Sequence, residues 1–349
     1  MFTPPQTLGL ATVLILALAQ TVPAANCALR QPRRQIEQIF PDFTSIKSVD
    51  AAVDEELKAR IETLLGSPLS ISDVGKHTAY IVLREGIPIG FVHARTETGA
   101  RGSIELVWAL DLDMRIKDFR VQGSREKHTD VIKADAFRNK LVGRNLSELR
   151  QLLTAGNDDV DIAALDVPAS ARKIAQITVL CGLKTRIITD EAFARTILPA
   201  RAMGLVHRFF PTTARITRIT VPYPAGAADA MTAAGGATGQ VDPDTFLLMR
   251  AFDARGGPLG VVALAYWTGH AARPETWWAV GPDGTIRQTL VVGDVGDATR
   301  AAFADLRGAD LATLAARGRS PGDTPASCAV EVLSVLATHD TGAPPPPPE

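Results

Sequence analysis

Residues 84–121, REGIPIGFVHARTETGARGSIELVWALDLDMRIKDFRV, decide the fold of this chain, because residues 254–292, ARGGPLGVVALAYWTGHAARPETWWAVGPDGTIRQTLVV, repeat their pattern. The two stretches align without a gap, at one constant offset along the chain. A period this long indicates a duplicated domain, since the units of solenoid proteins run about 20–50 residues. The pairs retained at this offset are Phe40 and Phe210, Pro41 and Pro211, Gly66 and Gly236, Gly90 and Gly260, Glu105 and Glu275, Trp108 and Trp278, and Asp113 and Asp283.

The duplication divides the 349-residue chain into two domains of ordinary size. We place the first domain at residues 34–182 and the second at 205–338, with a connector at 183–204. Downstream the offset shortens, because Gly143 matches Gly308 rather than a later glycine. The second copy has therefore lost loop residues.

Each copy predicts helices before and after a block of strands. A short helix over 34–39 should end at Phe40-Pro41, because the residue before a proline disfavours helical geometry, and a second helix over 53–65 should stop at Gly66. Runs rich in β-branched residues, separated by Gly, Asp or Thr, predict the strands 79–84, 90–94, 104–110 and 116–121. Further helices are predicted at 133–141 and 146–153 and from Pro168. The fold class is therefore α+β, with two tandem repeats that are each an antiparallel sheet packed with helices.

The two ends of the chain predict export and a disordered tail. Residues 1–25 resemble a secretory signal, with an apolar run and then small residues, which makes the mature protein exported and, in a bacterium, periplasmic. No Lys or Arg precedes the apolar run, so an uncleaved membrane anchor stays open as an alternative. Residues 339–349 contain a run of prolines and should be disordered. The formal net charge of −1 gives no electrostatic footprint for nucleic acid.

Residue types that carry chemistry show no recognised constellation. The six histidines have no counterparts between the copies, which favours scattered surface positions over a duplicated site. Cys181 and Cys328 fall in the last helix of each repeat; buried free thiols are favoured, and a disulfide between them stays open. The four tryptophans fit amphipathic strands as core residues better than as stacking platforms. No residue stands out as a general base or nucleophile.

The start of the last helix is the most suggestive position. Residues 323–327, DTPAS, match residues 166–170, DVPAS, and put Thr324 at a predicted N-cap with a proline after it. A helix N-terminus presents unpaired N–H groups that suit a phosphate. Thr324 serves either as a helix cap or as part of a phosphate site. The first copy has Val167 there, so the two copies differ chemically. Glu275, on a strand, is interpreted as a ligand contact or a partner for a nearby arginine.

This order of motifs resembles the FMN-binding domain family, which includes the periplasmic flavin subunits of the Rnf complex and of sodium-translocating NADH:quinone reductase. The shared features are the Phe-Pro and Gly helix ends, the Gly-containing strand, and the block FRNKLVGR at 137–144. The resemblance implies that the chain binds FMN, with Gly322, Thr324 and Ser327 at the phosphate and Glu126 beside the flavin. In the family, the first Thr of the end motif takes FMN as a phosphoester.

The end motif of this chain departs from the family pattern. Pro321, Asp323 and Ala326 replace a Ser, an Ala and a Thr, and a carboxylate beside an incoming phosphate is repulsive. Covalent attachment at Thr324 is therefore disfavoured, and non-covalent FMN or no flavin is favoured. We expect an exported electron-transfer flavoprotein with membrane or periplasmic redox partners, rather than a substrate-converting enzyme. The alternative is a degenerate pair that acts as a periplasmic binding or scaffold module without flavin.

Overall fold

A computed structural model describes residues 32–153, 160–221, 226–227, 229, 246–268, 273–293, 295–316 and 324–339. The side chains of 162, 220 and 324 are outside this description. The predicted signal segment, the proline-rich tail from 340 onwards, Gly236 and Gly322 also lie outside the described residues.

Within the described residues, ten strands form two antiparallel sheets of five, each in simple meander order. The first sheet consists of β1 Ser45–Val53, β2 Gly75–Arg84, β3 Ile87–Gly99, β4 Gly102–Leu110 and β5 Ile116–Ser124. The second consists of β6 Arg215–Thr220, β7 Leu247–Phe252, β8 Pro258–Tyr266, β9 Glu275–Val280 and β10 Ile286–Val292. The predicted α+β class with two tandem repeats, each an antiparallel sheet with helices, is confirmed.

The described helices lie before, between and after the sheets. They are α1 Arg33–Ile39, α2 Glu55–Leu65, α3 Thr129–Lys133, α4 Asp135–Leu141, α5 Leu146–Gln151, α6 Ile162–Leu165, α7 Arg172–Ala192, α8 Ala194–Phe209, α9 Asp297–Ala304, α10 Leu311–Ala316 and α11 Thr324–His339. The predicted connector at 183–204 consists of the second half of α7 and most of α8, with only Phe193 between them. We refer to the first unit (the first sheet with α1–α7) and the second unit (the second sheet with α8–α11).

One strand of the first sheet was not predicted, and the helix predicted over 53–65 begins two residues later in the structure. β1 occupies residues 45–53 and pairs along its whole length with β2, whereas the predicted helix began at Val53. The helix begins at Glu55, because the Asp54 side chain accepts a hydrogen bond from the Leu57 amide at 2.9 Å and caps it. It stops at Gly66, as predicted, with a left-handed φ of 75°.

Each sheet is covered by helices on both faces. On the first sheet, α7 packs on one face, and α1 packs on the other through Ile36 and Phe40. On the second sheet, successive strand residues alternate between the two cores: Trp278 joins the core of α9–α11, whereas Trp277 joins the core that contains α8. Helix α8 thus covers one face of the second sheet. This face corresponds to the face of the first sheet that α1 covers.

Helix α8 also attaches the second unit to the first. Arg201 on α8 donates from Nε to the Leu112 carbonyl at 2.7 Å, and Arg208 forms an ion pair with Asp113 at 2.6 Å. Gly204 lies so close to β3 that an added Cβ would come within 2.5 Å of the Pro88 carbonyl oxygen. The same helix is therefore the first helix of the second unit and a structural part of the first.

The retained residue pairs of the duplication are contact pairs in space. The Phe40 ring lies 2.5 Å from where a Cβ on Gly90 would stand, and the Phe210 ring has the same relation to Gly260. The Phe-Pro helix end and the strand glycine were therefore kept together, because the ring occupies the space that a side chain would fill. The Gly143 amide likewise donates to the Ile116 carbonyl, as Gly308 does to Ile286.

Replacing Gly260 with alanine should destabilise the fold. The new Cβ would meet the Phe210 ring and the Val280 carbonyl at a φ of +147°, so we expect a loss of about 2–4 kcal/mol in the free energy of unfolding. Urea denaturation followed by circular dichroism measures it. The control Gly296→Ala has no atom within 4 Å of the new Cβ and should lose at most about 0.5 kcal/mol. Equal losses in both variants would contradict the proposed contact.

Candidate functional site

The predicted phosphate-binding residues begin the last helix. Thr324 is the first residue of α11, so the helix begins one position earlier than a cap at Thr324 implied. Ser327 lies in the first turn of this helix and is half-buried, while Gly322 lies outside the described residues. In the first copy, Val167 is 7% exposed and its side chain belongs to the core. Because valine has no hydroxyl, the first unit cannot bind a phosphate there in the same way.

The family resemblance implies that Glu126 lies beside a flavin. In the structure, Glu126 contacts the hairpin between β3 and β4 of its own unit. Its carboxylate accepts a short hydrogen bond from the Arg101 amide and lies against Gly99, at the turn between β3 and β4. Its carbonyl accepts from the Thr129 hydroxyl at 2.8 Å. These contacts all belong to the first unit, whereas Thr324, Ser327 and Glu275 belong to the second. These contacts give Glu126 a structural role within its own unit.

Glu275 lies at the start of β9 and faces the first unit. It forms a close ion pair with Arg201 of α8 and accepts a 3.3 Å hydrogen bond from Trp277 Nε1. The Tyr266 hydroxyl lies 3.5 Å from its other carboxylate oxygen. The sequence left Glu275 either as a ligand contact or as a partner for a nearby arginine. The structure shows the pairing with an arginine.

Glu275 and Arg201 lie in the wall of a cleft between the two units, with a volume of about 790 Å³. The first unit contributes the turn at 113–115, α5 and the end of α7; the second contributes α8, β9, β10 and α9. Among the described residues, six arginines and four carboxylates line it, so this part of the lining carries a positive balance. We call this space the inter-unit cleft. Ser327 is not among its described lining residues.

Asp190, at the end of α7, is the most perturbed carboxyl group of the inter-unit cleft. Burial raises its pKa, Arg186 lowers it through an ion pair at 2.9 Å, and Glu275 raises it again. The resulting pKa is about 6. Burial also raises the pKa of the Tyr266 hydroxyl, with Glu275 acting in the same direction. Asp190 therefore titrates near pH 6 and is mostly ionised at neutral pH.

The first unit contains a buried cluster of charged side chains that was not predicted from the sequence. Lys184 on α7 lies 2.9 Å from Asp73 and 3.0 Å from Glu97, and Arg95 forms a close pair with Asp73. All four side chains are buried. Burial raises the pKa of Asp73, but the charges of Arg95 and Lys184 outweigh it and bring that pKa to about 2. We call these four residues the buried charge cluster.

The second unit has apolar residues at two positions of this cluster. Arg95 and Glu97 are alternate residues on β3, so they share a face of the sheet. The offset that relates Gly90 to Gly260 relates them to Ala265 and Trp267, which belong to the second core. Comparison of the two copies was the one sequence signal that could have found the cluster. The duplicated folds thus have different interiors.

The prediction that the histidines are scattered on the surface is wrong for two of them. His77 and His93 are each 2% exposed, and their rings meet edge to face at 5.5 Å. His77 Nε2 contacts the Asp73 carbonyl at 2.9 Å, whereas neither ring nitrogen of His93 has a partner among the described residues. Burial lowers the pKa of His77 to about 4 and that of His93 well below its ordinary value, and Arg95 adds to both effects.

The cysteine and tryptophan predictions are confirmed. Cys181 and Cys328 are free and fully buried, in the cores of the first and second units respectively. Burial raises the pKa of the Cys181 thiol to about 12, so it remains protonated at neutral pH. The four tryptophans are each at most 4% exposed and serve as core residues.

The described part of the chain contains neither a metal-binding cluster nor a membrane-spanning helix. No three or more His, Cys, Asp or Glu side chains there are arranged to hold a metal ion. Within the same ranges, no helix has the length and apolar character needed to cross a bilayer.

Comparison with protein-family models, curated proteins and solved structures gives no significant match. The resemblance to the FMN-binding domain family therefore depends on the residues quoted above and on no relative of this chain.

The two buried histidines predict a loss of stability in mild acid. In the unfolded chain both imidazoles are protonated below about pH 6.5, whereas the folded protein keeps His77 neutral down to about pH 4 and holds the pKa of His93 well below its ordinary value. The unfolded state then binds more protons, so the free energy of unfolding should fall between about pH 6.5 and 4, by roughly 1–3 kcal/mol for His77, and His93 should add to this loss.

His93→Leu should reduce this acid sensitivity. The variant removes one titrating group and two unpartnered nitrogens, so at pH 7 it should be at least as stable as the natural protein. Urea unfolding at a series of pH values from about 7 down to about 4.5 measures both effects. An equal loss of stability in the variant and in the natural protein would contradict the assignment.

Proposed function

We propose that this chain is an exported electron-transfer protein of the FMN-binding type, in which the second unit holds the flavin non-covalently. Its partners would be redox proteins of the membrane or periplasm. Bound FMN supplies the electron chemistry, and the protein positions it and tunes its potential. The observation that carries the proposal is that Thr324 is the first residue of the sixteen-residue helix α11, following a duplicated meander sheet.

The N-terminus of α11 is the part of the chain that best fits the phosphate of FMN. The first amides of a helix have no intrahelical partner, and together with the helix dipole they favour a bound anion. Thr324 and Ser327 lie in this first turn, and both are hydroxyl residues. Since Asp323 opposes a phosphoester at Thr324, non-covalent binding fits these residues better.

The first unit does not fit a flavin by the same criteria. Val167 is buried where the hydroxyl residue would be needed, and the carboxylate of Glu126 is engaged by the Arg101 amide. We therefore assign flavin binding to the second unit alone, and a supporting role to the first.

The second candidate function is an exported binding or scaffold module without flavin. The hydrogen bond from the Arg101 amide to the Glu126 carboxylate favours it, because the residue that the family resemblance places beside the flavin already has a structural role. The inter-unit cleft, with its positive balance of charge, would then be the place where a ligand binds.

The visible absorbance spectrum of the protein separates the two functions. We expect purified protein, or protein incubated with FMN, to be yellow. When the protein is denatured and passed through an ultrafiltration membrane, the yellow flavin should appear in the filtrate. Colour that stays with the denatured chain would instead indicate a covalent ester. A colourless protein that takes up no added FMN would contradict the flavin proposal. The function as a binding or scaffold module would then remain.

Thr324→Val tests the position of the flavin phosphate. We expect the variant to bind FMN about tenfold more weakly, since it loses a hydroxyl hydrogen bond to a charged group, worth about 1.5 kcal/mol. Flavin fluorescence quenching on titration measures the affinity. Thr313→Val, at an exposed helix position of the same unit, is the matched control and should bind FMN as the natural protein does. Unchanged affinity in Thr324→Val would place the phosphate elsewhere.

A further inference from the structure

We propose that the inter-unit cleft is a second binding site, for a small organic anion that carries a carboxylate or a phosphate group. The proposal does not depend on the flavin function, because the groups that carry it belong to α7 and α8, and Ser327 of α11 is not among the described residues that line the cleft. Its residues come from both units, so neither copy of the duplicated domain contains the site alone.

The first observation is a group of buried side chains in the cleft wall with unused hydrogen-bonding capacity. Arg186 Nε, Thr189 Oγ1 and Arg201 Nη2 have no hydrogen-bond partner in the described ranges of the chain. The three side chains are at least nine-tenths buried, with relative exposures of 7%, 2% and 2%. Polar groups that are removed from water are normally satisfied. A ligand with acceptor atoms would supply the missing partners.

The second observation is that these groups are already held in position. Arg186 and Thr189 are three residues apart on α7 and therefore share one face of the helix. Arg201 donates to the Leu112 carbonyl at 2.7 Å and lies over the Trp277 ring at 5.1 Å. Its guanidinium is thus fixed from the first unit on one side and from the second unit on the other. Such pre-organised donors lose little conformational entropy on binding.

The third observation is that the unsatisfied groups select for an anion. Two are arginine nitrogens, which can only donate, and the third is a hydroxyl, which can donate. Arginine in a fixed orientation recognises carboxylate and phosphate groups through paired hydrogen bonds. The volume of about 790 Å³ is within the range of pockets for small organic ligands, which suggests a molecule larger than an isolated phosphate ion.

Asp190 controls how strongly the anion would bind. Its carboxyl group pairs with Arg186 at 2.9 Å, and it is influenced by Glu191 of the same helix, Arg201 of α8 and Glu275 of β9. While Asp190 is ionised, it competes with a ligand for Arg186 and repels it. Neutralising Asp190 should therefore strengthen binding, which is the opposite of what damage to the cleft would do.

Isothermal titration calorimetry with succinate, ribose 5-phosphate and uncharged ribose tests the site. At low ionic strength and neutral pH, we expect at least one of the two anions to bind with a Kd of about 1 mM or tighter, and ribose not to bind. Binding of succinate alone or of ribose 5-phosphate alone identifies the preferred group. The absence of binding by both anions, or equal binding by ribose, would overturn the proposal.

Three variants locate the binding within the cleft. Arg186→Gln and Thr189→Val should each weaken the anion about fivefold or more, whereas Asp190→Asn should tighten it. Thr178→Val is the matched control: Thr178 is a buried threonine of the same helix outside the cleft, hydrogen-bonded to the Ile174 carbonyl, and its replacement should leave the affinity unchanged. Thr189→Val removes only an unpartnered hydroxyl, so it should fold even if Arg186→Gln does not. Unchanged affinity in Thr189→Val, or weaker binding in Asp190→Asn, would refute the site.

Discussion

The central strands of the two sheets are buried on both faces, and this constraint determines the placement of the helices. A sheet of this kind must be covered on both sides to exclude water. In the first unit α7 and α1 provide the two layers, and in the second unit α11 and α8 do so. Because α8 also donates to the Leu112 carbonyl of the first unit, covering the second sheet places the two units side by side. The inter-unit cleft is a result of that placement.

Most of the fold follows from local sequence signals, because strands, turns and helix ends each leave a short-range pattern. The Phe40–Gly90 and Phe210–Gly260 pairs could be recognised from the duplication before their contact was known. Strand β1 was missed because only Val49 and Val53 of its nine residues are buried, which is too few for an alternating pattern. A segment of that kind becomes a strand through pairing with a neighbour, and pairing depends on residues distant in the sequence.

The candidate sites were much harder to predict than the fold. Lys184 meets Asp73 across 111 residues of chain, and nothing near either residue indicates the other. His93 resembles an ordinary polar position on a strand until helix α7 covers it. Arg201 gains its role only when α8 lies between the units. Glu275 was recognisable because it was retained between the copies, whereas Arg95 and Glu97 could be found only as differences between the copies, at Ala265 and Trp267.

The single residue between α7 and α8 has a consequence for the history of the molecule. Phe193 is buried against His93 of the first unit, so the last helix of one copy and the first helix of the other are locked into a common interior. A domain that duplicates usually leaves two parts that can later separate or recombine with others. Here, division of the chain at Phe193 would expose this common interior, so the two copies are joined more closely than two domains on a linker.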